Sequence, residues 1–368
     1  MKKRMSIYQF FVIMILFQYG SVVLYFLSSD ARQNIWISYL FYSLVGILIQ
    51  IMYITLYEKY PNDTLITYLP KIYGKFIGNV LGLIYICYFI YIASIIFREF
   101  MDLTSVTALR YTPKIIYASL AAFIIIYATR CGIETIVSMA QMYIIILILI
   151  KVVSFLLILL TPNAFDLSNL EPILNNGIIK ALKSSWLIIM APYGETIVFT
   201  MLYPLVAESE KIKKFAIIAV ILEGVILAFN NILFICTLGV NFAINSNFPL
   251  LETYRIIDLG DFLTRLDIIF VLSFIVDGFF KISIFMYVAV FGIFQLFKLK
   301  TTDIVSVVLG IIMLAVSFLV SNNIPQQLSI GRNFIMKYIH FPIQIIIPVI
   351  TLIFCYTRKT YIKERIKK

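Results

Sequence analysis

Five ionisable side chains lie inside long apolar stretches of this 368-residue chain, where an isolated charge is strongly disfavoured. On insertion scales each costs about 2.5–3.5 kcal/mol at the centre of a bilayer, so each should face a partner or a water-filled cavity. The five are Lys151, Glu195, Glu223, Asp277 and Lys281. Groups of this kind pair with one another, bind ions or substrates, or relay protons.

The spacing of these charges leaves their roles open. Asp277 and Lys281 are four residues apart and share a helix face, which Ser273 extends. This spacing predicts either a local ion pair that eases insertion or part of a functional site. Glu223 is either a functional group or a carboxylate wetted near a helix end. Lys151 has no acid nearby on its own helix and needs a partner elsewhere, so we treat it as an ion or proton relay or a structural charge.

Two apolar stretches are interrupted by helix-breaking residues. The first carries Gln18-Tyr19-Gly20-Ser21, and the sixth carries Pro192-Tyr193-Gly194-Glu195. Proline removes a backbone donor and glycine tolerates non-helical torsions. Transporters made of inverted repeats bind substrate at matching interruptions of this kind. The alternative is that the glycines only allow close helix packing. We therefore predict that these motifs supply ligand-binding residues, namely Tyr19, Gly20, Ser21, Pro192, Tyr193, Gly194 and Glu195.

The composition identifies the class of protein that must position these residues. Hydrophobic residues make up 62% of the chain and charged residues 13%, whereas soluble domains have about 45–50% and about 25%. These values exclude a soluble enzyme, a nucleic-acid-binding protein and a disordered chain, and they indicate an all-α polytopic membrane protein embedded in a lipid bilayer. Four cysteines without CxxC spacing and a single histidine predict no metal site and no cofactor.

The apolar runs predict about ten transmembrane helices, numbered here as helices 1 to 10. Two longer connecting segments, 161–185 and 241–265, are expected to carry short helices. The predicted spans are 6–27, 35–57, 80–97, 115–129, 135–160, 186–204, 215–240, 266–297, 304–320 and 341–357.

The distribution of basic residues predicts the orientation. The net charge is +11; of the 30 Lys and Arg residues, 18 fall in segments on the N-terminal side of the membrane and 10 on the opposite side. The positive-inside rule then places both termini, including a basic tail at 358–368, in the cytoplasm. Trp36 and Trp186 fall at predicted outer ends, where interfacial tryptophans are common. His340 is also expected at this interface.

An ordered set of short motifs along nearly the whole chain resembles the GerAB-like family of spore germinant-receptor B subunits, in the amino acid–polyamine–organocation transporter superfamily. Where members of this family often have a second glycine in helix 1, this chain has Val22. The motifs lie at residues 36–38, 60–65, 73–78, 98–99, 112–113, 132–134, 170–174, 192–195 and 261–267, and at Lys281.

The resemblance implies a LeuT-like fold of 5+5 inverted repeats with discontinuous helices 1 and 6, the repeats covering about 6–160 and 186–357 of a single membrane domain. It also implies a nutrient sensor, usually for an amino acid, that triggers germination from the inner membrane of a spore with A and C partner subunits. From superfamily geometry, Tyr91 and Ser273 are expected in the walls of the ligand site.

Three alternatives remain. The chain could be an active transporter of amino acids or related solutes coupled to protons or cations, with Lys151 as the titrating or fixed charge. It could be a scaffold without a ligand of its own. A membrane enzyme of acyl or glycan transfer is disfavoured because the chain has one histidine.

Overall fold

Helices form almost all of the protein in a computed structural model that describes residues 4–174, 177–258 and 267–367. No β-strand is present in these ranges, and the single extended contact is a bridge between Met5 and Val206. An all-helical chain satisfies its backbone hydrogen bonds within each segment, as a bilayer requires.

Ten apolar helices follow one another in the order that the sequence predicts. Within the described ranges, seven are long and apolar enough to cross a membrane, and three are shorter: helices 1, 6 and 9. The segment 261–266, where one family motif and the predicted start of helix 8 fall, lies outside the described residues. Helices 1 to 10 have the bounds Ile7–Val22, Ile35–Lys59, Lys75–Thr107, Lys114–Cys131, Ile133–Leu160, Trp186–Met201, Ile212–Leu238, Asp267–Leu296, Asp303–Leu319 and Ile324–Lys367.

Short helices occupy the connecting segments. Leu65–Tyr73 joins helices 2 and 3, and its glycine cap, Gly74, has a positive φ of 90°. The predicted short helices in the two longer connections are present as Leu167–Leu170, Ile178–Ser184, Val240–Asn245 and Pro249–Arg255.

Helix 3 runs ten residues beyond its predicted end at 97, so Arg98, which the predicted span places just outside the helix on the side opposite the N-terminus, lies within it. Arg98 is buried in the helix, where its Nε donates to Asp102 Oδ2 at 2.9 Å. Lys114 Nζ lies 2.6 Å from the other oxygen of Asp102. This carboxylate partly neutralises the two cations, which allows the helix to continue through its charged turn.

Helix 10 begins at Ile324, 17 residues before its predicted start. Its middle, over Gly331–His340 and Pro342–Ile346, is wound as π-helix. The wider turns change the backbone hydrogen-bonding pattern around Pro342, so this residue does not end the helix as a proline in a regular α-helix would.

Packing brings together helices that are five positions apart in the order. Helix 2 packs along helix 7, and helix 3 along helix 8. Helix 1 lies against helices 5, 7 and 8. Small residues set the closest approaches: a Cβ on Gly46 or on Gly224 would lie 2.6–2.8 Å from atoms of Tyr193 or Ser43. The first and sixth helices are therefore enclosed by the others.

Candidate ligand site at the interruptions of helices 1 and 6

Helix 6 is not a regular α-helix at any point. It consists of 3₁₀ segments, Trp186–Ile189 and Tyr193–Met201, separated by a turn that contains Pro192 with a cis Ala191–Pro192 peptide bond. The Tyr193 hydroxyl donates to the carbonyl of Tyr39 on helix 2 at 3.0 Å. The interruption predicted from the Pro-Tyr-Gly-Glu motif is therefore present, and Tyr193 attaches it to helix 2.

Helix 1 is interrupted about one turn later than its motif suggests. The α-helix continues through Tyr19, Gly20 and Ser21, ends at Val22, and passes through a turn into the 3₁₀ helix Ser29–Asn34. Gly20 serves close packing: a Cβ there would lie 2.9 Å from the Asp277 carbonyl and 3.0 Å from Lys281 Cβ. Gly20 thus lets helix 1 approach helix 8 closely.

Lys281 connects helices 1, 6 and 8 at this point. Its side chain is fully buried, and its Nζ lies 2.5 Å from Glu195 Oε2 and 2.9 Å from Ser21 Oγ. The ammonium also lies 5.1 Å from the centre of the Phe17 ring. A buried ammonium needs such partners because unpaired burial of a charge is strongly unfavourable.

The local pair between Lys281 and Asp277, one of the two interpretations of their spacing, is not the arrangement found. Lys281 binds Glu195, whereas neither carboxylate oxygen of buried Asp277 has a hydrogen-bond partner among the described residues. Tyr143, on the same helix as Lys151, donates to the carbonyl of Ser273 at 2.8 Å. The ion pair of Lys281 is therefore made with another helix and not with the acid on its own helix.

Lys151 sits in an aromatic cage. Its Nζ lies 3.3 Å from the Tyr254 hydroxyl, 3.9 Å from the centre of the Phe274 ring and 4.9 Å from that of Tyr19. Ring faces attract a cation, and this attraction increases when water is excluded. Tyr19 thus contacts the helix 5 lysine through its ring, while Ser21 bonds the helix 8 lysine.

A second polar cluster lies where helix 10 passes the interruption of helix 6. The Tyr53 hydroxyl lies 2.6 Å from the carbonyl of Gln344 and 3.2 Å from that of Gly194. A Cβ on Gly194 would overlap the side-chain amide of Gln344. Gly194 is therefore required by a close approach of helix 10.

The interfacial position expected for His340 was wrong. His340 is buried, and its Nδ1 lies 2.5 Å from the Tyr88 hydroxyl. That hydroxyl also accepts a hydrogen bond from Gln344 Nε2 at 2.7 Å. Helix 10 starts much earlier than predicted, so residue 340 lies well inside it rather than at its end.

The two expected wall residues lie on helices 8 and 3, Ser273 eight residues before Lys281 on the same helix. The hydroxyl of Ser273 donates to the Phe270 carbonyl within helix 8 at 2.8 Å. Tyr91 is half-buried on helix 3, three residues after Tyr88. Sequence reasoning missed Tyr53, Tyr88 and Gln344. The available signal was the pair of polar residues His340 and Gln344, one turn apart.

Glu223 and Gln18 face a small cavity between helices 7 and 1, which Tyr19 also lines. A larger cavity opens near the far end of helix 1, with about 260 Å³ of water-accessible space. Basic side chains predominate around it, with Lys183, Arg332 and Lys337 against Asp30.

A helical bundle whose interrupted first and sixth helices meet at a buried ion pair has the LeuT-like transporter fold. The solved structure of MhsT in complex with L-phenylalanine is similar over 96% of this chain and 89% of that one, with a TM-score of 0.65 and 16% identity. This similarity confirms the fold expected from the sequence, and the long apolar helices identify an integral membrane protein.

The chain belongs to the family described as spore germination protein, whose model matches residues 4–325. Spore germination protein KB of Bacillus subtilis (strain 168) is 33% identical over 97% of this chain and 96% of that one. Spore germination protein XB of Bacillus anthracis is 26% identical over 81% and 82%. The family resemblance drawn from the ordered motifs is confirmed. The family consists of permease-like and receptor-like proteins rather than enzymes.

Proposed function

We propose that this chain is the nutrient-sensing B subunit of a spore germinant receptor. Its ligand, a small molecule of the amino-acid class, binds between the interruptions of helices 1 and 6. The observation that carries the proposal is the buried bridge from Lys281 to Glu195 and Ser21, because it joins both interrupted helices to helix 8. The MhsT structure of the same fold contains an amino acid.

The bridge suggests how a ligand would be recognised. A ligand carboxylate entering at this point would compete with Glu195 or Ser21 for the Lys281 ammonium, and charge-assisted hydrogen bonds of this kind are strong. Backbone groups at the turn before Tyr193 lack regular helical partners and offer further contacts.

Signalling would follow from a change in the bridge. A ligand that binds better when helices 1 and 6 are separated from Lys281 shifts the population toward that state, by no more than its difference in affinity. The A and C subunits of the receptor would respond to this change in conformation in the inner membrane of the spore. The excess of basic residues on the N-terminal side supports cytoplasmic termini and a cytoplasmic tail at 358–368.

We also propose that residues of about 6–160 and 186–357 form two inverted repeats of a single membrane domain. The pairing of helix 2 with helix 7 and of helix 3 with helix 8 supports this division, since each pair joins corresponding positions of two five-helix units.

The test of the sensor function is Gly194→Leu in the receptor of intact spores. The new side chain would fill the space that Gln344 occupies, so the nutrient dose-response should shift to higher concentration or disappear. Gly331→Leu is the matched control, because a Cβ there meets nothing within 4 Å. An unchanged dose-response for Gly194→Leu, with normal receptor levels, would disprove the site.

A second candidate function is proton- or cation-coupled transport, which the caged Lys151 favours. Uptake of labelled amino acids into proteoliposomes that contain this chain alone separates the two functions. Concentrative, proton-dependent flux that Lys151→Met abolishes would favour the transporter. Ligand binding without flux would favour the sensor.

A further inference from the structure

Three basic side chains from two different elements line the larger cavity near the far end of helix 1. Lys183 belongs to the short helix Ile178–Ser184, and Arg332 and Lys337 belong to helix 10. Among the described residues of the wall, Asp30 is the only acidic one. With three cations against one carboxylate, the lining carries a net charge of +2.

This positive charge is not compensated by ion pairs. In the described part of the chain, no salt bridge includes Lys183, Arg332 or Lys337. Nη1 of Arg332 lies 3.2 Å from the hydroxyl of Ser29, a contact that uses one of the five guanidinium donors and brings no negative charge. Like charges gathered around one space repel one another, and an anion between them would remove this repulsion.

The winding of helix 10 brings its two cations to the same side. Arg332 and Lys337 are five residues apart within Gly331–His340, which is wound as π-helix. In an α-helix, where each residue is rotated by about 100° from the last, side chains five apart point about 140° away from each other. In a π-helix, backbone hydrogen bonds join residues five apart, so the two side chains lie above one another. The unusual winding therefore places both charges in one wall of the cavity.

The cavity has the size and the lining of a site for a small polar solute. Its volume of about 260 Å³ is slightly below the range of about 300–1,000 Å³ that is typical of sites for drug-sized ligands. The side chains of Ser29 and Asn333 offer uncharged hydrogen bonds, and Trp186 and Leu187 form an apolar part of the wall. Arginine binds carboxylate and phosphate groups through paired hydrogen bonds, which suits an anion with several oxygen atoms.

The position of these charges in the chain is also unusual. The cavity lies on the side opposite the N-terminus, where only 10 of the 30 Lys and Arg residues were expected. With the cytoplasmic termini proposed above, this is the outer side, on which basic residues are disfavoured in membrane proteins. Three of these few residues converge on one cavity, which indicates that their charge is used there.

We propose that this cavity binds a small dianion, phosphate or a dicarboxylate, through Lys183, Arg332 and Lys337. Two negative charges neutralise the lining, and the oxygen atoms of the anion accept hydrogen bonds from all three side chains. The lining includes neither Lys281 nor Glu195, so this site is distinct from the nutrient site proposed above. A bound dianion would join helix 10 to the short helix that precedes helix 6, and it can be measured without any nutrient.

The experiment compares the melting temperature of the purified full-length protein in sodium phosphate, disodium succinate and NaCl at equal ionic strength. The pH is mildly alkaline, so that phosphate is mainly the dianion. We expect a saturable rise in melting temperature with at least one dianion, because a ligand that binds only the folded state stabilises it. Lys183→Met should raise the dianion concentration at half-effect by about tenfold, the value of one lost charged hydrogen bond.

The control is Lys180→Met, which removes an exposed lysine of the same short helix that does not line the cavity. Its half-effect concentration should equal that of the unmodified protein. Arg332→Met should weaken the dianion effect at least as much as Lys183→Met. Lys183 is exposed, so its variant keeps the test decisive even if the half-buried Arg332 cannot be replaced without unfolding.

Three results would overturn the proposal. The first is an equal melting temperature in all three salts. The second is a dianion effect that is unchanged in Lys183→Met and Arg332→Met, because phosphate also stabilises proteins in general by exclusion from their surface. The third is a rise caused by phosphatidylglycerol in mixed micelles and by neither free dianion, which would assign the cavity to a lipid headgroup.

Discussion

Lys281 Nζ lies 2.5 Å from Glu195 Oε2, although Asp277 is only one helical turn away from Lys281 on helix 8. This pairing transfers the strongest interaction of Lys281 from its own helix to the interrupted helix 6. Together with the bond to Ser21, it makes the positions of helices 1 and 6 dependent on a single ammonium group.

The first prediction concerns this bridge. Lys281→Met leaves the Glu195 carboxylate buried without a counter-charge, and Glu195→Gln does the same to Lys281. Each change should lower the free energy of unfolding by about 3–5 kcal/mol, whereas the double variant should lose less than the sum. Thermal unfolding in detergent measures all three. The control is Lys71→Met, which breaks an exposed pair with Asp63 and should change stability by about 0–1 kcal/mol. Additive single losses would contradict the coupling.

The second prediction concerns the contact between helices 1 and 8. Gly20→Ala places a Cβ 2.9 Å from a backbone carbonyl, which cannot rotate away as the end of a side chain could. We expect helix 1 to shift, with a loss of stability of about 1–3 kcal/mol and a weaker nutrient response. Gly331→Ala, in open space, should be neutral or slightly stabilising. Equal melting temperatures for the two variants would mean that the close contact at Gly20 does not contribute to stability.

The third prediction concerns the N-terminal end of helix 1. Glu208 accepts a hydrogen bond from the Ile7 amide at 2.9 Å. Next to it, the amides of Arg4 and Ala207 donate backbone hydrogen bonds that join the segment before helix 1 to the segment after helix 6. Glu208→Ala removes a helix-capping carboxylate and should lower stability by about 0.5–2 kcal/mol.

The melting temperature of Glu208→Ala should therefore fall below that of Glu210→Ala, which removes an exposed glutamate two residues further on. A larger effect at Glu210 would show that general surface charge, and not the cap, is responsible.

The fourth prediction concerns the cluster on helix 10. Tyr88→Phe removes the hydroxyl that joins His340 Nδ1 and Gln344 Nε2, leaving both buried groups with less hydrogen bonding. We expect a loss of about 1–3 kcal/mol in the free energy of unfolding. Tyr111→Phe is the control, because this tyrosine is fully exposed. If Tyr88→Phe is as stable as the control, the cluster is not required for the fold.

Much of the fold could be predicted from local sequence features. The apolar runs indicated ten helices, and the Pro-Tyr-Gly-Glu motif located the interruption of helix 6. The ends of helices 3 and 10 could not be predicted, because the charged turn at Arg98 is stabilised by Lys114 and Asp102 and because Pro342 is accommodated by π-helical turns. A single sequence gives little indication of which side chains on other helices form ion pairs, or of where a helix changes from α-helical to π-helical winding.

The sequence by itself determined the family, the helical membrane class, the order of the ten helices and which residues break them, because run length, proline and glycine act locally. The tertiary structure decided which charges meet. By sequence, Lys281 could have reached Asp277 as well as Glu195, and His340 could have faced the membrane surface. The partners of these side chains were decided by the rotation of each helix and by how closely it packs, as at Gly20 against helix 8. Rotation and packing distance depend on all neighbouring helices together.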